Sequence, residues 1–138
     1  MLRHAYYSKR STMKRILFIN TTFSYRLTPE FLTGEGFRVD TAHDPTTGLQ
    51  LLAEGEYDLI ILQERPRNES WQLCERIRRL SGIPLIVINL HADTDNCVRT
   101  ITAGADFFMR KPFGPSEVLA RINALLNRTS RRQAVTVN

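Results

Sequence analysis

Four polar residues stand where short apolar runs end. Asn20 closes RILFIN (15–20), Gln63 closes DLIILQ (58–63), Asn89 lies near the end of LIVINL (85–90), and Lys111 follows DFFM (106–109). Runs this short and this rich in β-branched and aromatic residues read as strands, so the four side chains belong at strand ends. Amides donate and accept hydrogen bonds but carry no charge, and the ammonium of Lys111 is a pure donor. Other reactive types do not gather. His4, His43 and His91 are scattered, and Cys74 and Cys97 stand 23 residues apart, outside any CxxC motif. A structural zinc site takes about four such ligands, so the cysteines read as buried thiols in a reducing cytoplasm. No phosphate-binding glycine loop follows the first run; Thr21-Thr22-Phe23-Ser24 stands there. An enzyme is therefore the weakest reading, and neither a cofactor nor a metal is expected.

The elements that position these residues alternate. After the first strand, Thr28-Pro29-Glu30 starts a short helix that Gly34 and Gly36 stop. Phe37–Ala42 is a second strand. Asp44-Pro45 opens a second helix with Leu49, Leu52 and Ala53 inward, ended by Gly55. The third strand has an unbroken apolar run, the mark of burial on both faces. Ser70 caps a third helix with Trp71, Cys74 and Ile77 on one stripe. Asp93 or Asp95 opens a fourth, carrying the apolar Val98, Ile101 and Ala103. Gly114-Pro115 leads into a fifth, with Val118, Leu119, Ile122, Leu125 and Leu126 at helical spacing. Strands alternating with helices predict a single α/β domain, a doubly wound, five-stranded parallel sheet. In such folds ligands bind outside the carboxyl ends of the strands, which is where Asn20, Gln63, Asn89 and Lys111 fall.

Length and composition agree. The chain has 138 residues, 42% of them hydrophobic, with no apolar run near the roughly 20 residues of a membrane span. No signal peptide is read at the start, so the expected location is cytoplasmic. The net charge of +5 is unevenly spread. Residues 1–15 carry five basic side chains and no acid, and residues 128–138 carry three and no acid; the stretch between holds 11 basic and 14 acidic ones. The positive charge therefore belongs to the two ends, and no nucleic-acid-binding face is expected on the body. Residues 1–12 read as an extension, 13–127 as the domain, and 128–138 as a basic linker or tail.

The stretches FRVDTAHDPTTGLQLLAEGEYDLIIL, GIPLIVINL and ITAGADFFMRKPFGPSEVLARINALLNR resemble the receiver domains of bacterial response regulators, most nearly those of the OmpR/PhoB type. The resemblance covers about residues 13–128. It implies a (βα)5 flavodoxin-like fold of strand order 2-1-3-4-5. It also implies what ought to occupy the strand ends, and this chain departs there. An acidic pair that holds Mg²⁺ is replaced by Asn20 and Thr21, the phosphoacceptor Asp by Gln63, and the Thr or Ser of the fourth strand by Asn89. Lys111 remains, in a Lys-Pro bond that is cis in typical receivers, and Phe108 fills the slot of the switch aromatic. Mg²⁺ is usually held through one or two carboxylates, and an aspartyl phosphate needs a carboxylate nucleophile. The expectation is a degenerate pocket without metal or phosphate. Glu64, one residue past the slot, points to the opposite face and is expected as a surface or loop carboxylate. Lys111 is expected either to donate to the amide oxygens of Gln63 or Asn20, or to form an anion site.

The resemblance further implies a homodimer through the fourth helix, fifth strand and fifth helix. Asp106, Glu117, Arg121 and Arg128 match its charge pattern, whereas Cys97, Thr102, Phe107 and Asn123 break it. Phe107, beside Val118 on the fifth helix, makes the face more apolar. The expected function is a phosphorylation-independent interaction and dimerisation module of a transcriptional regulator. A histidine kinase or another protein is a possible partner, and DNA would be bound only by a winged-helix domain outside this chain. The alternatives are a small-ligand or anion sensor and a stand-alone interaction receiver.

Overall fold

The computed structural model describes residues 13–22, 26–65 and 67–137, with side chains as far as Thr129. The expected extension, residues 1–12, lies outside the described residues. Five strands, β1 (Arg15–Asn20), β2 (Arg38–Ala42), β3 (Leu59–Gln63), β4 (Leu85–Ile88) and β5 (Phe107–Met109), form one parallel sheet of order β2-β1-β3-β4-β5. The helices are α1 (Pro29–Gly34), α2 (Pro45–Glu54), α3 (Ser70–Leu80), α4 (Thr94–Thr102) and α5 (Pro115–Val137). The predicted α/β fold and strand order are those observed.

Period-two alternation explains why the central strands are apolar throughout. Ile16, Phe18, Leu59, Ile61, Ile86 and Ile88 enter one core, closed by Leu32 of α1 and by Val118, Ile122, Leu125 and Leu126 of α5. Leu17, Ile19, Ile60, Leu62, Leu85 and Val87 enter the other, closed by Leu52 of α2 and by Leu73, Cys74 and Ile77 of α3. A sheet covered on both faces has no room for alternating polar residues. Gly48 lets α2 approach β1 closely, since a Cβ there would lie 2.7 Å from Ile19 Cδ1.

Caps follow the sequence signals at three helices. Thr28 accepts from the Phe31 amide, Asp44 from Thr47 and Asp93 from Asn96. Elsewhere the structure corrects the sequence reading. Ala53 is exposed, and Leu51 packs partly against the core in its place. Ser70 is not a cap but the fully buried first residue of α3. α4 is turned inside out: its buried residues are Asn96 and Thr100, while Val98 and Ile101 are 56% and 50% exposed. Helical backbone also continues past Asn127 to Val137, where a linker was expected. Nothing in 128–137 breaks a helix, because the stretch lacks both Gly and Pro.

Candidate functional site

Register brings the expected residues to one edge. Asn20 pairs with Gln63 across β1 and β3, Gln63 with Ile88 across β3 and β4, and Ile88 with Met109 across β4 and β5. Asn20 is spent locally: its Oδ1 accepts from the Thr22 amide at 3.2 Å. Thr21 ties β1 to β3, its backbone N–H donating to the Gln63 carbonyl at 2.9 Å and its hydroxyl to the same oxygen at 3.4 Å. The Gln63 side chain is 2% exposed, and neither its Oε1 nor its Nε2 has a partner among the described residues. Asn89 is fully buried; its Nδ2 donates to Ser70 Oγ (2.8 Å) and to the Asn68 carbonyl (3.1 Å), and its Oδ1 is unpartnered.

Lys111 departs from expectation. It is exposed and makes no hydrogen bond or ion pair with Gln63, Asn20 or any other described residue. A neutral amide offers an ammonium too little attraction to compensate for lost hydration. The Lys111–Pro112 peptide is trans. Phe108 is half-buried and packs against the core beneath α2 and α3.

Glu64 is the largest correction. It is buried, not a surface carboxylate, with 7% of its surface exposed. Its backbone N–H continues the ladder to the Ile88 carbonyl. Its Oε2 accepts from Asn68 Nδ2 at 3.1 Å, and its Oε1 has no partner. Burial raises its pKa above the ordinary glutamate value, against the lowering effect of hydrogen bonds from Ser70 and Asn68.

Around it lies a buried polar network that the sequence reading missed. The Asn68 carbonyl accepts from Asn89 Nδ2 and, at 2.8 Å, from Asn96 Nδ2; Asn96 Oδ1 accepts from Thr100 Oγ1 at 3.2 Å. The available signal was the i, i+4 pair Asn96 and Thr100 lying opposite Val98 and Ile101 on one helix.

The face expected for self-association is only partly assembled. Val118 is fully buried in the core and cannot lie on it. Asp106 Oδ2 is held by Arg78 Nη2 at 3.0 Å and by the Leu85 amide at 2.8 Å, so it is tied to its own chain. Glu117, Arg121 and Arg128 are exposed. Arg121 stacks on the half-buried Phe107 ring at 4.3 Å. Both line a groove of about 460 Å³ that continues along α5 to Arg128.

The donor set at the strand ends is uncharged. A hard dication takes oxygen ligands that include carboxylates, and neither Asn20, Thr21 nor Gln63 supplies one. The unpartnered Gln63 amide has an N–H₂ group that a cation would repel. These residues do not fit Mg²⁺. Among the described residues, no group of three or more His, Cys, Asp or Glu could hold a metal ion.

A doubly wound sheet of this order, with its polar residues gathered at the carboxyl edge, defines a flavodoxin-like α/β domain. The chain belongs to the response regulator receiver domain family, whose model matches residues 21–123. Among curated relatives, response regulator ArlR of Staphylococcus aureus (strain MW2) is 38% identical over 108 residues, 78% of this chain and 49% of that protein. The chain thus spans about half the length of the curated relatives it matches. A CheY-like receiver domain protein from Methanospirillum hungatei JF-1 superposes with a TM-score of 0.79 at 27% identity, covering 88% of this chain and 99% of that one. A two-component response regulator from Clostridium difficile shares the fold, with a TM-score of 0.76 at 23% identity over 85% of this chain and 98% of that one. No helix among the described residues is long and apolar enough to cross a membrane.

Proposed function

We propose that this chain is an atypical receiver of the OmpR/PhoB type that signals without an aspartyl phosphate. In this reading it is not an enzyme. It serves as a cytoplasmic interaction and dimerisation module of a transcriptional regulator whose DNA-binding domain lies outside residues 13–127. The observation that carries the reading is Gln63, buried in the β3 slot with an amide that can neither attack a phosphoryl group nor hold a metal. Similarity to ArlR over one half of that protein supports the regulator context.

Self-association is best supported on α4 rather than α5. Val98 and Ile101 expose about half of their surface on α4. Specific interfaces place such apolar groups at their centre. Two measurements test the reading. Incubation with acetyl phosphate and Mg²⁺ leaves the mass unchanged; a gain of one phosphoryl group refutes phosphate independence. Sedimentation shows a dimer that Ile101→Asp dissociates and added salt does not; a wild-type monomer at high micromolar concentration refutes the dimer.

A second reading, a ligand-sensing module, rests on the unpartnered amide atoms of Gln63 and Asn89 and on an exposed Lys111 that makes no bond to another described residue. Calorimetry with small anions tests it, with Lys111→Met as the variant that abolishes the heat.

A further inference from the structure

α4 lacks what normally holds a helix to a sheet. Most helical stability in proteins comes from packing an apolar face, yet no residue of α4 enters either core. Its inward side is held by Asn96 Nδ2 on the Asn68 carbonyl, with Thr100 hydrogen-bonded to Asn96. Its outward side carries Val98 and Ile101. Asn68 is the tie on the Glu64 side, alongside Cys74 Sγ on the Thr100 carbonyl at 3.7 Å and Arg110 Nη1 on Thr94 Oγ1 at 3.1 Å, and the side-chain amide of Asn68 is in turn bonded to Glu64. A carboxyl group, one loop residue and α4 form a continuous chain of hydrogen bonds.

We propose that Glu64 is a proton-sensing group that sets the docking of α4 through Asn68. With the proton on, Glu64 is neutral and stays buried, Asn68 keeps its carbonyl on Asn96 and Asn89, and α4 is docked as observed. With the proton off, a carboxylate with only Asn68 and Ser70 as donors is under-solvated. An open groove of about 380 Å³ borders Glu64, and Arg67 and Arg76 line it. The charge is drawn towards those guanidiniums and water, Asn68 follows, and α4 loses the tie through Asn96.

Other charged groups surround Glu64 and Asn68, and the variants below separate them from Glu64. Glu69 in that groove accepts from Gln72 Nε2 and is exposed. From α2, Asp44 is held ionised by Thr47, which lowers its pKa. Asn89 of β4 does not titrate. On the α4 side, His91, Asp93, Asp95 and Arg99 line a polar groove with Trp71 that shares Arg67, Asn68 and Glu69 with the groove bordering Glu64. Asp93 caps α4, and Asp95 pairs with Arg99 at 3.0 Å. The raised pKa of Glu64 agrees with the docked form being the protonated one.

The structure contains its own reporter. Trp71, the single tryptophan of the chain, lies on α3 with the Arg99 guanidinium of α4 5.2 Å from its ring centroid. Trp71 emission is recorded against pH in wild type, Glu64→Gln, Asp95→Asn and His91→Gln. The expected result is a one-proton transition with its midpoint above the ordinary glutamate value. It persists in Asp95→Asn and His91→Gln and is absent from Glu64→Gln, which keeps the acid-form emission throughout. Amide exchange gives the second reading. At neutral pH, protection over 94–102 in Glu64→Gln exceeds wild type by up to about tenfold for each pH unit between the midpoint and the ordinary value. A transition that survives Glu64→Gln, one that vanishes in Asp95→Asn or His91→Gln, or a wild type without any transition overturns the proposal. These readouts lie within one chain, so they stand or fall separately from self-association and from phosphate independence.

Discussion

Arg78 offers the sharpest test of how the β5 edge is held. Its guanidinium sits at the C-terminal end of α3, 20% exposed. Nε and Nη2 donate to the Gly104 carbonyl at 3.0 and 2.7 Å, Nη1 to the Ile83 and Ser81 carbonyls at 2.6 and 3.2 Å, and Nη2 to Asp106 Oδ2 at 3.0 Å. One planar fork thus gathers the end of α3, the approach to β4 and the α4–β5 turn. Gly104 sits at φ +120°, and a Cβ there would lie 2.9 Å from Arg78 Cγ, so turn and guanidinium fit as a unit. A hydrogen bond to a charged group contributes about 1.5–3 kcal/mol. The exposed pair with Asp106 adds at most about 1 kcal/mol. The short bonds to Gly104 and Ile83 dominate. Allowing for water that reaches the freed carbonyls, Arg78→Ala should lose about 3 kcal/mol. Arg78→Lys should lose about 2 kcal/mol, because an ammonium keeps the charge but cannot span the fork. Urea unfolding at neutral pH measures both, with an unchanged slope. A loss below about 1 kcal/mol in Arg78→Ala, within the range of an ordinary surface change, would show that these contacts are replaced by water without cost.

Two further outcomes follow from titrating groups. Tyr57 donates to Asp40 Oδ2 at 2.7 Å, and burial followed by that bond raises its phenol to about 12. The native state therefore holds its proton more tightly than the unfolded chain. Stability from Tyr57 is fully present below pH 10 and is lost as pH rises towards 12; thermal melts should show a steeper decline over that range in wild type than in Tyr57→Phe. Cys74 is fully buried, and desolvation pushes its thiol up to about 11, whereas Cys97 is half-buried. A thiol reagent at pH 8 should label Cys97 in the native chain and both residues only after denaturation; rapid native labelling of Cys74 would contradict its burial.

The fold was legible because its signals are local and repeated. The runs LIIL and LIVI admit burial on both faces, and the Thr-Pro and Asp-Pro pairs start helices by a mechanism that needs no tertiary context. The strand-end residues were legible for the same reason, since a parallel register carries Asn20, Gln63 and Asn89 to one edge. What failed depended on side-chain direction. Glu64 follows the last strand residue, and only the continued ladder to Ile88 places it under α3 instead of in the loop. Val98 and Ile101 follow an amphipathic pattern that the core normally claims. Here Asn96 and Thr100 take the inward side instead, Asn96 giving the Asn68 carbonyl a second donor beside Asn89. Ser70 had the right type and place for a cap, but Asn89 took its hydroxyl.

The inversion of α4 and the neutral strand ends bear on one physical question: what could bias such a domain. A modification or ligand shifts an equilibrium only by as much as it discriminates between the two states. An acyl phosphate needs a carboxylate for attachment, and the Gln63 amide is not one. The discriminating groups that remain are those whose own environment is unbalanced. Gln63 and Asn89 have unpartnered atoms but do not change charge; Glu64 has an unpartnered oxygen and can. It also lies one hydrogen-bonded residue from a helix with no residue in either core cluster. A gap of a few kcal/mol between docked and undocked α4 lies within reach of one proton, since each pH unit of discrimination is about 1.4 kcal/mol. The exposed Val98 and Ile101 move with that helix, so a change in α4 docking changes the surface offered to a partner without any covalent step.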